Sequence, residues 1–424
     1  MTLRFRVFAA LVACFIIVIG AGSSIRAEDF FFKDGDRAVI IGDSITEQHL
    51  YSNFVEMWTI SRFPAWNITF RNSGIGGDRS TGGNSRFKRD VMVHKPTAMT
   101  VDFGMNDGNY KAFEDGTFQT YMKGLQGMAD QAKEGQVRVA WMTPSPVEKG
   151  EEGPALQGYN ETLEKYSAGV GAIAEKNGGL FVDQFHPFVA AQDKARAENP
   201  KNRIGGGDAV HPGPPGQALM AWGILKGLHF PALVSAAEID AAGNKVVNAR
   251  NCEVTSLAVK DDGVSFQRKD AALPFFPAEA KSILKWVPID QELNEYTLKI
   301  TGLKEGKYEL KIDTVKIAEY TSAELAAGVN LTTPALAAGP IAEQVKTVWN
   351  AVVAKNKFYH DQIFRGIILG SGVPDWLGMT PAEIEAKKQA AMTQRTEKTA
   401  EMDAAIHKAL EMRPHQVEVV PVKK

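Results

Sequence analysis

Cysteine is nearly absent from this sequence, which holds only Cys14 and Cys252 among its 424 residues. A disulfide framework or a zinc cluster held by thiolates needs more cysteines than this, so both are excluded. The remaining composition is ordinary for a globular protein, with 44% hydrophobic and 23% charged residues. That balance excludes collagen-like and wholly disordered chains, and it predicts a fold stabilised by a hydrophobic core.

Neither sign of charge is in excess. The chain carries 48 Lys and Arg against 50 Asp and Glu, for a formal net charge of -2. Nucleic-acid-binding domains usually present a basic surface, so we expect no nucleic acid partner. After the N-terminal region, no apolar run approaches the ~20 residues of a membrane span, which predicts no stable membrane insertion of the mature chain.

The first 27 residues have the layout of a secretory signal peptide. Arg4 and Arg6 form a basic start, an apolar run covers residues 7–19, and small residues follow. Removal of residues 1–27 takes away three arginines and no acid, which leaves 45 basic against 50 acidic residues, or about -5. The sequence therefore predicts export to the periplasm or the extracellular space, with an uncleaved anchor as the alternative.

Lipid attachment at Cys14 is a second alternative. Residues 11–14 read LVAC, which resembles the bacterial lipobox, where a lipidated cysteine tethers the protein. The apolar run continues past Cys14 instead of ending before it, and this favours plain export. Plain export removes Cys14 and leaves Cys252 without a partner for an internal disulfide.

Alternating strand and helix patterns follow the signal segment and predict a parallel α/β sheet with helices on both faces. The first strand, residues 38–42, is a continuous apolar run closed by Gly42, as in a strand that is buried on both faces. Helix-length amphipathic segments separate the strands and include residues 117–134 and 155–177. The other predicted strands cover residues 66–72, 97–104, 137–142 and 179–183.

The pattern changes after residue 236, where short alternating runs separated by glycine turns predict a small antiparallel β unit. Two of these runs, residues 296–300 and 308–312, flank Gly302 and Gly306 and predict a β-hairpin. A long stretch rich in Ala, Glu and Lys then predicts helices. The predicted units are a signal peptide (1–27), an α/β domain (28–236), a small β unit (237–333), a helical region (334–412) and a loose tail (413–424).

A candidate nucleophile follows the first strand. Ser44 comes directly after Gly42 and Asp43, in the position where open α/β sheets bind their ligands. As the first residue of the next helix, Ser44 exposes both its hydroxyl and an unpaired backbone N–H. A simple helix cap is the alternative interpretation.

Three further segments supply hydrogen-bond donors and a base. Residues 72–78 (NSGIGGD) follow the second strand, and the side chain of Asn106 follows the third. Asp208 precedes His211 by three residues in a loop rich in Gly and Pro, where it can orient the imidazole. Each segment alone is also typical of a turn. Together they place a nucleophile, donors and an oriented base at one edge of the sheet.

These segments resemble the four blocks of the SGNH (GDSL) hydrolases, which are named for Ser, Gly, Asn and His. Residues 42–44 match the GDS block, 72–78 the glycine block, 104–107 the GxND block, and Asp208 with His211 the DxxH block. The resemblance covers residues 30 to about 230 and implies a flavodoxin-like α/β/α fold. It also implies catalysis by Ser44, Asp208 and His211, with an oxyanion hole made by Ser44, Gly77 and Asn106.

The same resemblance implies a serine esterase that hydrolyses carboxylic esters through an acyl-enzyme, without a cofactor or a metal. Export favours a small-molecule or carbohydrate ester with a short acyl group, such as acetyl. A lysophospholipase-like lipid esterase is the alternative within this chemistry. A non-catalytic binding module on the same fold is the alternative of another class.

Residues beside these blocks have simpler interpretations. Glu47 and His49 lie one helical turn after Ser44 and could line a pocket, but they also fit a solvated helix face. Asp43 fits a hydrogen bond that stabilises its loop. Arg86 could hold an anionic substrate, although an exposed structural arginine is the simpler expectation.

Overall fold

The computed structural model describes residues 30–149, 156–370 and 372–422. The predicted signal peptide and the possible lipidation site at Cys14 lie outside these residues. Both therefore stay predictions of the sequence.

A five-stranded parallel sheet forms the centre of the N-terminal half, with the strand order β2-β1-β3-β4-β5. This is the flavodoxin-like order of doubly wound folds. The predicted α/β class and the flavodoxin-like sheet are confirmed. The strands are β1 Arg37–Gly42, β2 Thr69–Gly74, β3 Ala98–Asp102, β4 Arg138–Met142 and β5 Leu180–Val182.

Helices cover both faces of this sheet because its strands are apolar on both sides. In β1, Ala38 and Ile40 belong to one hydrophobic cluster, while Val39 and Ile41 belong to another. The first cluster includes α2, α6 and α7, and the second includes α3, α4 and α5. The helices of this half are α1 Ser44–Glu47, α2 Leu50–Arg62, α3 Ser80–Asp90, α4 Asp115–Glu134, α5 Tyr159–Asn177, α6 Phe185–Glu198 and α7 Pro214–Gly227, with a 3₁₀ turn at Met92–His94.

The second strand begins later than the predicted 66–72. The ring of Trp66 stacks on Phe63 with centroids 3.8 Å apart, and Trp66 N–H donates to the Phe63 carbonyl at 3.0 Å. The apolar start of the predicted strand is therefore a packed turn. Because β2 instead ends at Gly74, that residue lies in the sheet opposite Gly42.

Two further sheets follow in sequence, with the orders β13-β10-β6-β7 and β12-β11-β14-β9-β8. Neighbouring strands in them are antiparallel, except that β6 and β10 are parallel. The strands are β6 Leu233–Asp240, β7 Lys245–Arg250, β8 Cys252–Lys260, β9 Gly263–Asp270, β10 Glu295–Thr301, β11 Lys307–Ile312, β12 Val315–Thr321, β13 Val329–Asn330 and β14 Pro414–Pro421.

The predicted hairpin of residues 296–300 and 308–312 is wrong. Both segments are strands, β10 and β11, but each belongs to a different sheet. At the end of β10, Gly302 packs so closely on the β6–β7 turn that a Cβ there would lie 2.7 Å from Ala242 N. Alternating side chains thus predicted the strands but not their partners.

The predicted tail is also wrong over most of its length. Residues 414–421 form β14, which pairs with β9 on one side and with β11 on the other. Val417 and Val419 of this strand are buried, at 3% and 0% exposure. Their alternation with polar neighbours was the available signal for a strand.

The helical region lies against the N-terminal half of the molecule. Phe54 of α2 stacks on Trp349 of α11 (Pro340–Phe358), with ring centroids 5.6 Å apart. No helix in the described part of the chain is long and apolar enough to cross a bilayer. The remaining helices are a 3₁₀ helix at Ala278–Lys285, α8 Ile289–Leu293, α9 Ser322–Ala327, α10 Thr332–Ala337, α11 Pro340–Phe358, a π-helix at Tyr359–Ile368, a 3₁₀ turn at Asp375–Leu377 and α12 Pro381–Ala409.

A buried ion pair joins α11 to α2. Lys355 is 0% exposed and donates to Glu56 Oε1, and its Nζ lies 3.6 Å from Asp403 of α12. Asn356 donates to Glu56 Oε2 at 2.7 Å and to Asn53 Oδ1 at 2.7 Å. Since a buried charge is stable only when it is paired, this cluster fixes how the C-terminal helices sit on the N-terminal half.

Replacing Lys355 should therefore destabilise the protein. We expect Lys355→Ala to lower the free energy of unfolding by about 3–5 kcal/mol, because Glu56 is left buried without its cation. Lys357→Ala is the matched control on the same helix, since Lys357 is exposed and pairs with Asp361 at the surface; we expect it to cost at most ~0.5 kcal/mol. Urea unfolding followed by tryptophan fluorescence measures both, and equal effects would contradict this account.

Candidate active site

Ser44 lies directly after the carboxyl end of β1, at the start of α1. The strand order reverses between β1 and β3, so this is the crevice where doubly wound sheets bind ligands. Gly42 permits the tight turn, because a Cβ there would lie 2.1 Å from the Thr46 hydroxyl. Asp43 caps α1 by accepting from Ile45 N–H at 2.9 Å. These contacts fix the backbone on both sides of the serine.

Ser44, His211 and Asp208 form a continuous hydrogen-bonded chain. Ser44 Oγ lies 2.9 Å from His211 Nε2, and His211 Nδ1 lies 3.1 Å from Asp208 Oδ2. Because the carboxylate accepts from Nδ1–H, Nε2 is left to accept the serine proton. The structure thus brings together the three residues predicted to be catalytic. Their roles in catalysis stay predictions.

Asp208 is held in place by its own loop. Its Oδ1 accepts the N–H of Val210 at 2.8 Å and the N–H of His211 at 2.7 Å. Burial on its own would raise the pKa of Asp208, but these two N–H groups and the imidazole outweigh it and lower the pKa. Asp208 therefore stays ionised and can stabilise a protonated His211.

Gly77 lies in the loop after β2, which contacts Glu47 of the helix that Ser44 begins. Its φ of 73° is in the left-handed region, which glycine adopts without strain. Among the described residues, no hydrogen bond uses the Gly77 N–H, whereas the neighbouring Gly76 N–H donates to Glu47 Oε2 at 2.6 Å. An uncommitted N–H is what the predicted oxyanion donor requires.

Asn106 follows β3 and reaches the neighbour of the serine. Its Nδ2 donates to Asp43 Oδ2 at 3.2 Å and to the Asp78 carbonyl at 3.0 Å. Tyr110 donates to its Oδ1 at 2.7 Å, which fixes the amide orientation. Both amide hydrogens are thus engaged within the protein, and an oxyanion would have to share one of them. The predicted donor role of Asn106 is compatible with its position only through such sharing.

Comparison with known proteins identifies the domain that carries this geometry. Residues 40–219 match the model of the GDSL-like Lipase/Acylhydrolase family. This segment belongs to that family. The SGNH (GDSL) resemblance stated from the four sequence blocks is confirmed, and the family indicates a carboxylic ester hydrolase.

Three matches extend the comparison. An acetylxylan esterase from Geobacillus stearothermophilus is 24% identical over an alignment of 217 residues, and the match covers 46% of this chain and 95% of the relative. A crystal structure of an acetylxylan esterase from that organism covers 47% of this chain and 97% of its own, with a TM-score of 0.40 and 24% identity. The solved structure of a gut microbial diltiazem-metabolizing enzyme is 25% identical, with a TM-score of 0.79, and covers 92% of this chain and 98% of its own. The last likeness therefore reaches beyond the acylhydrolase domain into the added sheets and helices.

Glu148 is a residue of the acylhydrolase domain that the sequence gave no reason to select. It lies in the loop after β4 and is 3% exposed. Its Oε1 accepts from Ile204 N–H at 2.5 Å and from Gly205 N–H at 2.9 Å, and its own N–H donates to the Ala209 carbonyl at 2.8 Å. These bonds hold the loop that carries Asp208 and His211. No motif or periodic pattern marks Glu148, because its partners lie more than 50 residues away.

The solvated-face interpretation of Glu47 and His49 is wrong. Glu47 is 17% exposed at its side chain and pairs with Arg365, besides its bond to Gly76. His49 Nε2 lies 3.1 Å from His360 Nδ1, and burial lowers the pKa of His49 to about 3. The sequence could not indicate this, since the contacting residues lie in the C-terminal π-helix.

Arg86 is likewise buried rather than exposed, at 8% exposure. It pairs with Asp78 at 2.7 Å and with Asp90 at 3.1 Å, and it donates to the Gly42 carbonyl at 3.1 Å. These partners within the protein occupy the Arg86 guanidinium, so Arg86 connects the loops around the acylhydrolase site.

Among the described residues, no three His, Cys, Asp or Glu side chains are grouped to hold a metal ion.

Three carboxyl groups at or after the ends of β1 and β3 are buried. Burial raises the pKa of Asp102 to about 7 and the pKa of Asp107 to about 6, the latter despite its bonds from Ser80. Burial, with the charge of Asp102 added, also raises the pKa of Asp43. Burial therefore disfavours negative charge at Asp43, the neighbour of the serine.

The buried acid Asp102 should make stability depend on pH. Its folded pKa of about 7 lies above the ordinary value of 3.8, so the neutral form is favoured by folding. Stability from this group is present below pH 4 and is lost as pH rises to 7, at up to ~1.4 kcal/mol per pH unit. We expect Asp102→Asn to gain stability relative to the parent protein as pH rises from 4 to 7. The free energy of unfolding of each protein, measured by urea unfolding at several pH values, tests this. If the two free energies change equally with pH across that range, the raised pKa is contradicted.

Proposed function

We propose that this chain is an exported serine esterase that cleaves short acyl groups, acetyl above all, from carbohydrate or other small-molecule alcohols. The observation that carries the proposal is the unbroken chain from Ser44 Oγ through the imidazole of His211 to the carboxylate of Asp208, with distances of 2.9 and 3.1 Å. A hydroxyl in this arrangement is an activated nucleophile.

In the first half of the proposed reaction, Ser44 Oγ attacks the ester carbonyl carbon while its proton passes to His211 Nε2. The negative charge that develops on the carbonyl oxygen is met by the N–H groups of Ser44 and Gly77, with Asn106 Nδ2 sharing one hydrogen. Each such donor contributes ~10²–10³ in rate. The ester C–O bond then breaks, and His211 gives its proton to the departing alcohol.

In the second half, water takes the place of the alcohol. His211 Nε2 removes a proton from the water, whose oxygen attacks the acyl carbon. The bond between the acyl group and Ser44 Oγ then breaks, and Oγ recovers its proton from His211. Asp208 stabilises the imidazolium in both halves, since it stays ionised in its loop.

The substrate class rests on the relatives and on the predicted export. An acetylxylan esterase matches 46% of this chain over 95% of its own length. The signal-like residues 1–27 support export, where acetylated polysaccharides are accessible. The added sheets and helices have a counterpart in the diltiazem-metabolizing enzyme, which supports a small molecule as a further substrate type.

Replacing the nucleophile tests the chemistry. We expect Ser44→Ala to abolish hydrolysis of p-nitrophenyl acetate and to prevent labelling by a fluorophosphonate probe. Circular dichroism and the melting temperature should stay unchanged, because the side chain loses only one oxygen. A Ser44→Ala variant with undiminished activity would overturn the serine mechanism, and a parent protein that neither hydrolyses esters nor takes the probe would favour a binding module.

The same preparation decides between acyl groups. Hydrolysis of p-nitrophenyl esters from two to twelve carbons should be fastest at two, and acetylated xylooligosaccharides should release acetate. Lysophospholipids and diltiazem complete the panel. An optimum at long chains, together with cleavage of lysophospholipids, would replace this substrate class by a lipid esterase.

A further inference from the structure

The C-terminal π-helix reaches the loop that holds the predicted oxyanion donor. Its residue Arg365 donates through Nη2 to Glu47 Oε1, and the second oxygen of the same carboxylate accepts from Gly76 N–H at 2.6 Å. Glu47 is the last residue of α1, which begins at Ser44. One carboxylate therefore connects three parts of the chain, namely the helix of the nucleophile, the Gly76–Gly77 loop and the C-terminal region.

Packing supports the same connection. Ile75, which precedes the two loop glycines, packs against the buried cluster of Tyr359, Ile363 and Phe364 on the π-helix. The π-helix also places His360 against His49, the residue that precedes α2. The π-helix thus contacts both the segment that leads into the Gly76–Gly77 loop and the residue between α1 and α2.

The position of the π-helix is itself fixed. It continues α11 directly, and the last turns of α11 hold Lys355 and Asn356 against Glu56 of α2. π-helical geometry is rare and is frequently found at functional sites. Its presence beside the oxyanion loop, on a helix anchored by buried charge, indicates a role other than filling space.

We propose that Arg365 and Glu47 are positioning residues for ester hydrolysis. Arg365 orients the Glu47 carboxylate, which holds the Gly76 N–H and thereby sets the direction of the next N–H, that of Gly77. Arg365 also neutralises a carboxylate that would otherwise lie unpaired near developing negative charge. This inference rests on the proposed function, since it assigns a purpose to the oxyanion loop.

The expected effect is on turnover and not on substrate affinity. Arg365→Ala should lower kcat about tenfold, less than the ~10²–10³ for loss of an oxyanion donor, because the Gly77 N–H remains but is poorly oriented. KM should stay within about twofold. Arg365→Lys keeps the positive charge and should recover part of the loss. Rates are divided by the number of serines titrated with fluorophosphonate, so that misfolded protein does not count.

A double-mutant cycle decides whether the two residues act together. We expect Glu47→Gln to lower kcat by a similar factor, and Arg365→Ala with Glu47→Gln to be no slower than the worse single variant. Lys398→Ala is the control, because Lys398 forms an exposed pair with Glu401 on α12, within the same C-terminal region; its kcat should equal that of the parent.

The outcomes separate this inference from the proposed function. An unchanged kcat in Arg365→Ala, with Ser44→Ala inactive, overturns the positioning role and leaves the esterase proposal standing. Independent, additive losses in the cycle also overturn it, as does a loss that disappears when rates are divided by titrated serines. A parent protein without esterase activity overturns both proposals.

Discussion

The pairing of β1 with both β2 and β3 is the constraint on which the site depends. Because these three parallel strands end at one edge, the residues that follow them meet there: Ser44 after β1, the Gly76–Gly77 loop after β2 and Asn106 after β3. Gly42 and Gly74 allow the ends to approach α1 closely, since a Cβ at either would lie within 2.4 Å of an atom of that helix. The base is then supplied from outside the sheet by the loop before α7, which the buried Glu148 holds in position.

Ion pairs with little exposure to water join parts of the chain that are distant in the sequence, and they are the second constraint on the structure. Lys355 and Arg71 both approach Asp403, and Lys355 also pairs with Glu56, so α11, α12, α2 and β2 are connected by ions with little exposure to water. Such pairs add little stability over apolar packing, but they tolerate few alternative arrangements. The C-terminal helices are thereby held in one position, from which Arg365 and His360 reach the surroundings of the serine.

Much of this fold could be predicted from local sequence patterns, but the pairing of strands that are distant in the sequence could not. The buried parallel strands could be predicted because their apolar runs are continuous. The proximity of Ser44, Asp208 and His211 could be predicted because these residues lie in recognisable sequence blocks. The partners of β10 and β11 could not, since alternation specifies which face is buried but not which strand lies alongside. Glu148 and the contacts of Glu47 were also beyond prediction, because a single carboxylate gives no sign of a partner 29 or 318 residues away.

The most direct test of the account is a crystal structure of the protein after reaction with a small alkyl fluorophosphonate. The account predicts phosphorus bonded to Ser44 Oγ, with one phosphonyl oxygen within hydrogen-bond distance of the N–H groups of Ser44 and Gly77 and of Asn106 Nδ2. His211 Nε2 should remain within reach of Ser44 Oγ, with Asp208 still bonded to Nδ1. Phosphorus on another residue, or a phosphonyl oxygen directed away from Gly77, would contradict it.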